Sequence, residues 1–190
     1  MNLSGKTIGF ALTGSFCTFA RVFPQAEAIV RAGARVVPVL SFNAWALDTR
    51  FFKAEEVRAR LREITGEEPL HTLEAVEPFG PKKDLLIIAP CTGNTLAKLA
   101  AGIADTPVTL AAKSHLRNER PVLIAVSTND ALAAAAKNIG ALSAARHYYF
   151  VPYGQDAPDG KPRSLVAHFD KIPECACAAL VGVQTQPMLV

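Results

Sequence analysis

Along the chain, apolar runs of strand length alternate with stretches in which apolar residues recur at helical spacing, and each run ends in small polar residues. The run from Asp84 to Ala89 is the clearest. It shows no polar alternation, which predicts a strand buried on both faces, as in a parallel sheet. Pro90 stops it, five small residues follow, three of them bearing a hydroxyl or an amide, and Leu96, Leu99 and Ile103 then return at helical spacing, so Asn94 or a neighbouring Thr is the expected N-cap. The same unit occurs at Thr7–Leu12 with a helix over about 19–31, at Arg35–Leu40, at Pro121–Val126 with an Ala-rich helix ending near Gly140, and at Tyr148–Val151. Further helices are expected over about 54–64, 108–116 and 173–183. Gly33 and Gly66 mark helix ends, and Pro38 marks the second strand as an edge or an irregular stretch.

Strands alternating with helices imply right-handed crossovers, which bring all the strand exits to one edge of the sheet. The expected fold class is therefore α/β, a Rossmann-like three-layer sandwich over residues 1–190 as one domain, with a mostly parallel sheet of five or six strands. Open α/β sheets bind ligands at that edge. Gly14-Ser15, Ser41 to Asn43, Pro90 to Thr95, Ser127 to Asn129 and Tyr153 to Gln155 should converge there. Such a pocket offers hydroxyls, amides and backbone N–H groups with almost no carboxylates, a lining suited to a phosphorylated cofactor or a carboxylate substrate. Phe42 and Trp45 are candidates for stacking on a flat ring, against ordinary packing. The Pro- and Gly-rich stretch 152–164 has the length of a lid.

Composition narrows the class. The 190 residues carry a net charge of +3 with scattered Lys and Arg, which gives nucleic-acid binding no support. No apolar stretch reaches the length of a membrane span and residues 1–6 lack a signal-peptide core, so the expectation is a cytoplasmic protein without membrane contact. Cys17, Cys91, Cys175 and Cys177 lack zinc-site spacing, no metal is expected, and all four read first as small buried residues. Cys17 and Cys91 stand at strand exits, but no His partner for a nucleophile is identifiable. The G-x-G-x-x-G and G-x-x-x-x-G-K-[ST] phosphate fingerprints are absent.

Pro90-Cys91-Thr92-Gly93-Asn94-Thr95 resembles the P-A-S-A-N-T element of the flavoprotein family that includes the homo-oligomeric flavin-containing cysteine decarboxylases. The Gly14-Ser15 turn resembles that family's first FMN-phosphate loop, and Ser127-Thr128-Asn129 falls where the family carries P-x-M-N, keeping the Asn without the Pro and Met. Within that superfamily the stretches 9–15, 89–94, 111–113, 117–118 with 120–121, 127–132 and 152–156 are similar to the branch formed by the B subunits of dipicolinate synthases.

The resemblance implies an oxidoreductase working with an A subunit, oxidising a dihydrodipicolinate-type precursor to pyridine-2,6-dicarboxylate in the mother cell of a sporulating bacterium. It implies FMN as cofactor, with NAD or NADP as the alternative, and homo-oligomers that are trimers or their multiples. Gly14, Ser15, Ser41, Pro90, Thr92, Asn94, Thr95 and Ser127 are then the expected cofactor contacts. Ser15, Thr92, Asn94 and Thr95 fall to the phosphate, and Ser41 to the polyol or ring. Asn129 is expected at the ring or substrate, and His71 stands roughly where flavin-dependent decarboxylases place a catalytic His. Lys113, Arg117, Lys161 and Arg163 are the candidates for the two carboxylates of the substrate. The alternatives are a flavin-dependent decarboxylase of peptidyl or pantothenoyl cysteine, and a noncatalytic partner that holds a ligand for the A subunit.

Overall fold

A computed structural model describes residues 2–78 and 83–190. Strands β1 (Thr7–Leu12), β2 (Arg35–Leu40), β3 (Leu85–Cys91), β4 (Val122–Thr128) and β5 (Tyr148–Phe150) are all parallel and lie in the order β2-β1-β3-β4-β5. Every residue of β3 is buried, which accounts for its unbroken apolar run. Strand β2 is an edge, and the Pro38 carbonyl accepts Leu70 N–H at 2.9 Å, so the residue without an N–H sits where none is needed for the ladder.

Among the described residues the sheet has seven strands, beyond the five or six expected. Strands β6 (Tyr153–Gly154) and β7 (Leu165–Ala167) extend it antiparallel from the end of β4, through Ser127↔Val166 and Tyr153↔Ala167. Two or three residues are too few to show a period. The apolar C-terminal tail pairs with its own chain. Tyr153 N–H donates to Met188 O at 3.0 Å, Val190 N–H donates to Tyr153 O at 3.2 Å, and the Gln184 amide bonds both backbone groups of Phe150 at 2.7 and 2.8 Å.

Helices flank both faces. Helix α1 (Phe19–Arg31) buries Phe19, Val22, Phe23, Ala26 and Ile29, the i, i+3, i+4, i+7 stripe of an amphipathic helix, and Gly33 at φ +95° turns the chain into β2. Next come α2 (Phe42–Ala46), α3 (Ala54–Thr65) and α4 (Leu73–Val76). Then α5 (Gly93–Ala100) and α6 (Pro107–Arg117) follow β3. Helix α7 (Ala136–Ala144) starts later than the Ala-rich run, because Asp130 O accepts the N–H groups of Ala133 and Ala135 and holds the intervening residues in turns. Helix α8 (Ile172–Leu180) closes the chain against β3 and β4. Among the described residues no helix is long and apolar enough to cross a membrane.

Candidate functional site

The β1 and β3 exits are joined by one buried hydroxyl. Thr13 Oγ1 donates to Pro90 O at 2.7 Å and accepts Thr92 N–H at 3.0 Å, while Thr13 N–H reaches the same carbonyl at 3.3 Å. Strand β3 therefore continues through Pro90 to Cys91 instead of stopping at the proline, with the Ala89–Pro90 peptide in the cis form. Thr92 is the N-cap of α5, its Oγ1 accepting Thr95 N–H at 3.4 Å and lying 3.1 Å from Thr95 Oγ1. The first-turn N–H groups of Gly93 and Asn94 have no acceptor inside the helix. Gly93 is required by closeness: a Cβ there would stand 2.7 Å from both Thr128 Oγ1 and Asp130 Oδ1.

The β2 and β4 exits join these two across the sheet, whereas Tyr153 to Gln155, expected with them, line neither cleft because Tyr153 and Gly154 pair as β6 with β7. Ser15 Oγ and Ser127 Oγ share a hydrogen bond of 2.7 Å, tying the β1 exit to the β4 exit. Ser41 caps α2, accepting Ala44 N–H at 3.3 Å, and its own N–H donates to Leu12 O at 3.0 Å.

These exits frame two clefts that share Gly14 and Thr92. The larger, of about 810 Å³, is lined by Ser15, Ser127 and Asn129 together with Phe16, Cys17, Arg21, Arg50, Phe51 and Lys161. Arg21, Arg50 and Lys161 form no ion pair among the described residues. The one carboxylate among the described lining residues is Asp156, whose Oδ1 accepts Ser164 Oγ–H at 2.7 Å. The smaller cleft, of about 360 Å³, is lined by Ser41, Phe42, Asn43, Asn94, Thr95, Lys98 and Thr106, with no carboxylate among its described lining residues. The Lys98 ammonium is engaged by Asp105 at 2.7 and 2.8 Å, which holds the Asp105 carboxyl below the usual range, so this cleft presents neutral donors and N–H groups.

Of the residues expected at the site, Gly14, Ser15, Ser41, Thr92, Asn94, Thr95, Ser127, Asn129 and Lys161 line these clefts. Pro90 lies beneath them, its carbonyl taken by Thr13. Lys113 and Arg117 are elsewhere: both are exposed on α6 and flank an apolar groove with Leu99, Ile103, Leu116 and Tyr148. Arg163 is exposed and lines neither cleft, its backbone carbonyl accepting Leu132 N–H at 3.0 Å. His71 stacks flat on Trp45, ring centroids 3.4 Å apart, with the Arg58 guanidinium 4.6 Å from the same indole. Trp45 is thus occupied by its neighbours, whereas Phe42, 47% exposed, stands in the smaller cleft.

Cys91 is fully buried and desolvation pushes its thiol far above the ordinary range, which fits a small packing residue and opposes a nucleophile. Cys175 is likewise buried and raised, Cys177 is half-buried, and Cys17, expected in the interior, is exposed in the larger cleft. Arg21 and Arg50 were missed by sequence reasoning. Arg21 stands on α1 just past the β1 exit, a position that signals the same sheet edge, while nothing in the local pattern marks Arg50.

The sequence pattern of the flavoprotein family matches residues 1–172. The chain belongs to the flavoprotein family. It is 45% identical over 191 residues to the B subunit of dipicolinate synthase of Bacillus subtilis (strain 168), an alignment spanning 100% of this chain and 96% of that protein. The crystal structure of the B subunit of dipicolinate synthase from Bacillus halodurans C superposes with a TM-score of 0.92 at 45% identity, covering 100% of this chain and 98% of the other. A more distant likeness is the FMN-dependent cysteine decarboxylase TvaF from thioviridamide biosynthesis, with a TM-score of 0.57 and 28% identity over 74% of this chain and 86% of that one.

Proposed function

We propose that the chain is a flavin-binding B subunit of dipicolinate synthase, acting with an A subunit on a dihydrodipicolinate-type ring that becomes pyridine-2,6-dicarboxylate. The observation that carries this reading is the larger cleft, where Arg21, Arg50 and Lys161 line the ligand space without acidic partners among the described residues, beside the strand exits that bear Ser15, Ser127 and Asn129. Three such cations around one cavity fit two carboxylates, and they favour a dicarboxylate over the cysteine substrates of the decarboxylases.

The donor set fits FMN. Ser41, Asn94, Thr95 and the open first turn of α5 would hold its phosphate and polyol in the smaller cleft, since a helix N-terminus with neutral donors attracts anions. Gly14 and Thr92, shared by both clefts, would lie under the cofactor where it passes toward the larger one. When bound, a flavin supplies a two-electron acceptor for a ring gaining aromaticity. The protein's own residues then bind and orient: the cations take the carboxylates and Asn129 hydrogen-bonds the ring or substrate. Location in the cytoplasm of the mother cell, and assembly of copies through the groove that Leu99, Ile103 and Leu116 line, belong to the same reading.

The experiment mixes the purified chain with FMN, the dihydropyridine dicarboxylate and its A subunit, then follows pyridine-2,6-dicarboxylate formation. The expected result is a rate that needs this chain. Full rate when this chain is left out contradicts a catalytic contribution.

A further inference from the structure

The turn at 49–52 presents two residues to the larger cleft and is braced on both sides of them. Thr49 N–H and Oγ1–H both donate to Phe52 O, at 2.9 and 3.1 Å, and Thr49 Oγ1 accepts the N–H groups of Phe51 and Phe52, each at 3.2 Å. The Phe52 ring is anchored in an aromatic cluster, 6.2 Å from Phe19 and 5.6 Å from Phe23, edge-on to the latter at 89°. A turn so fixed points its middle residues outward. Those are Arg50 and Phe51, both lining the cleft, with the Arg50 guanidinium 4.8 Å above the Phe51 ring and Phe51 46% exposed. The nearest acid in sequence, Asp48, is spent elsewhere: Oδ1 accepts Ala54 N–H at 2.9 Å and Oδ2 lies 3.5 Å from Lys53 Nζ.

We propose that the Arg50–Phe51 pair is the carboxylate-reading element of the cleft: Phe51 supports the guanidinium by its face, so that the N–H edge of Arg50 takes one carboxylate of a planar ring dicarboxylate. A guanidinium stacked on an aromatic ring keeps its N–H fork in its own plane, free for bidentate pairing, and loses little conformational freedom when the anion arrives. Phe51 is a positioning residue in this scheme. Its exposure in the free protein is then the cost of presenting Arg50, and the braced turn is what keeps the pair from collapsing onto the surface. The inference rests on the dicarboxylate reading above and names the residues that set its specificity.

The test is calorimetry on the full chain loaded with FMN, using pyridine-2,6-dicarboxylate and pyridine-2-carboxylate as probes. The wild-type chain should prefer the dicarboxylate, and Arg50→Ala should lower dicarboxylate affinity by about 10- to 100-fold and remove the preference. Phe51→Ala should weaken the dicarboxylate several-fold, Phe51→Tyr should restore it, and Phe51→Ala should add nothing in the Arg50→Ala background, while FMN affinity stays unchanged throughout. An Arg50→Ala chain that keeps the preference, or losses that add independently, overturns this inference alone. A wild-type chain that binds FMN but neither carboxylate overturns the substrate reading with it.

Discussion

Ser15 and Ser127, 112 residues apart, share one hydrogen bond of 2.7 Å between their hydroxyls, and this bond closes the floor of the larger cleft. Ser127 is buried, so removing its hydroxyl leaves Ser15 without that partner. Ser127→Ala should destabilise the protein by about 1 kcal/mol in urea unfolding, and Ser15→Ala by a similar amount. The double variant should cost no more than the larger single one, because both remove the same bond. Strict additivity of the two losses would show that the contact is not energetically coupled.

Gly154 has room for no side chain, since a Cβ would run into the Val190 carbonyl of the tail paired beside it. Gly154→Ala should therefore detach the tail, at a cost of roughly 1–3 kcal/mol. Limited proteolysis should then remove residues after Gln184 faster than in the wild type. An unchanged cleavage rate would show that the tail pairing contributes little.

His115 sets a pH dependence of stability. It is buried, and desolvation, helped by the positive charges of Arg120 and Lys83 against the opposing Asp84, lowers its pKa from 6.5 to about 4. The unfolded chain then binds the extra proton between those values, so stability rises with pH across that window and is lost as the pH falls from 6.5 toward 4. The loss is on the order of 3 kcal/mol. Thermal melts across this range should show it, and His115→Gln should flatten the profile. A wild-type melting temperature that is constant from pH 6.5 to pH 4 would contradict the assignment.

The parallel sheet was legible because its strands are buried on both faces and read as unbroken apolar runs, Leu85 to Ala89 most clearly. Convergence of the first four exits followed from topology, and the Thr92 cap from residue type, while Tyr153 to Gln155 were drawn instead into the β6 pairing. The division into two clefts was not legible. The clefts meet at Gly14 and Thr92, whose nearness across the β1 and β3 exits is a tertiary relationship no local pattern records. Arg50 and Phe51 escaped for a related reason, since their direction is set by Phe52 packing on Phe19 and Phe23. Lys113 and Arg117 misled because charge is visible in a sequence while the face of α6 that bears it is decided by packing.

The central claim is that the α5 N-terminus and its neighbouring exits hold a flavin. Titrating the purified chain with FMN and following quenching of flavin fluorescence tests it most directly. The account predicts saturable binding, weakened about tenfold or more in Asn94→Ala with the thermal melt unchanged. A wild-type chain that leaves FMN fluorescence untouched, or an Asn94→Ala chain that binds it equally well, would contradict the claim.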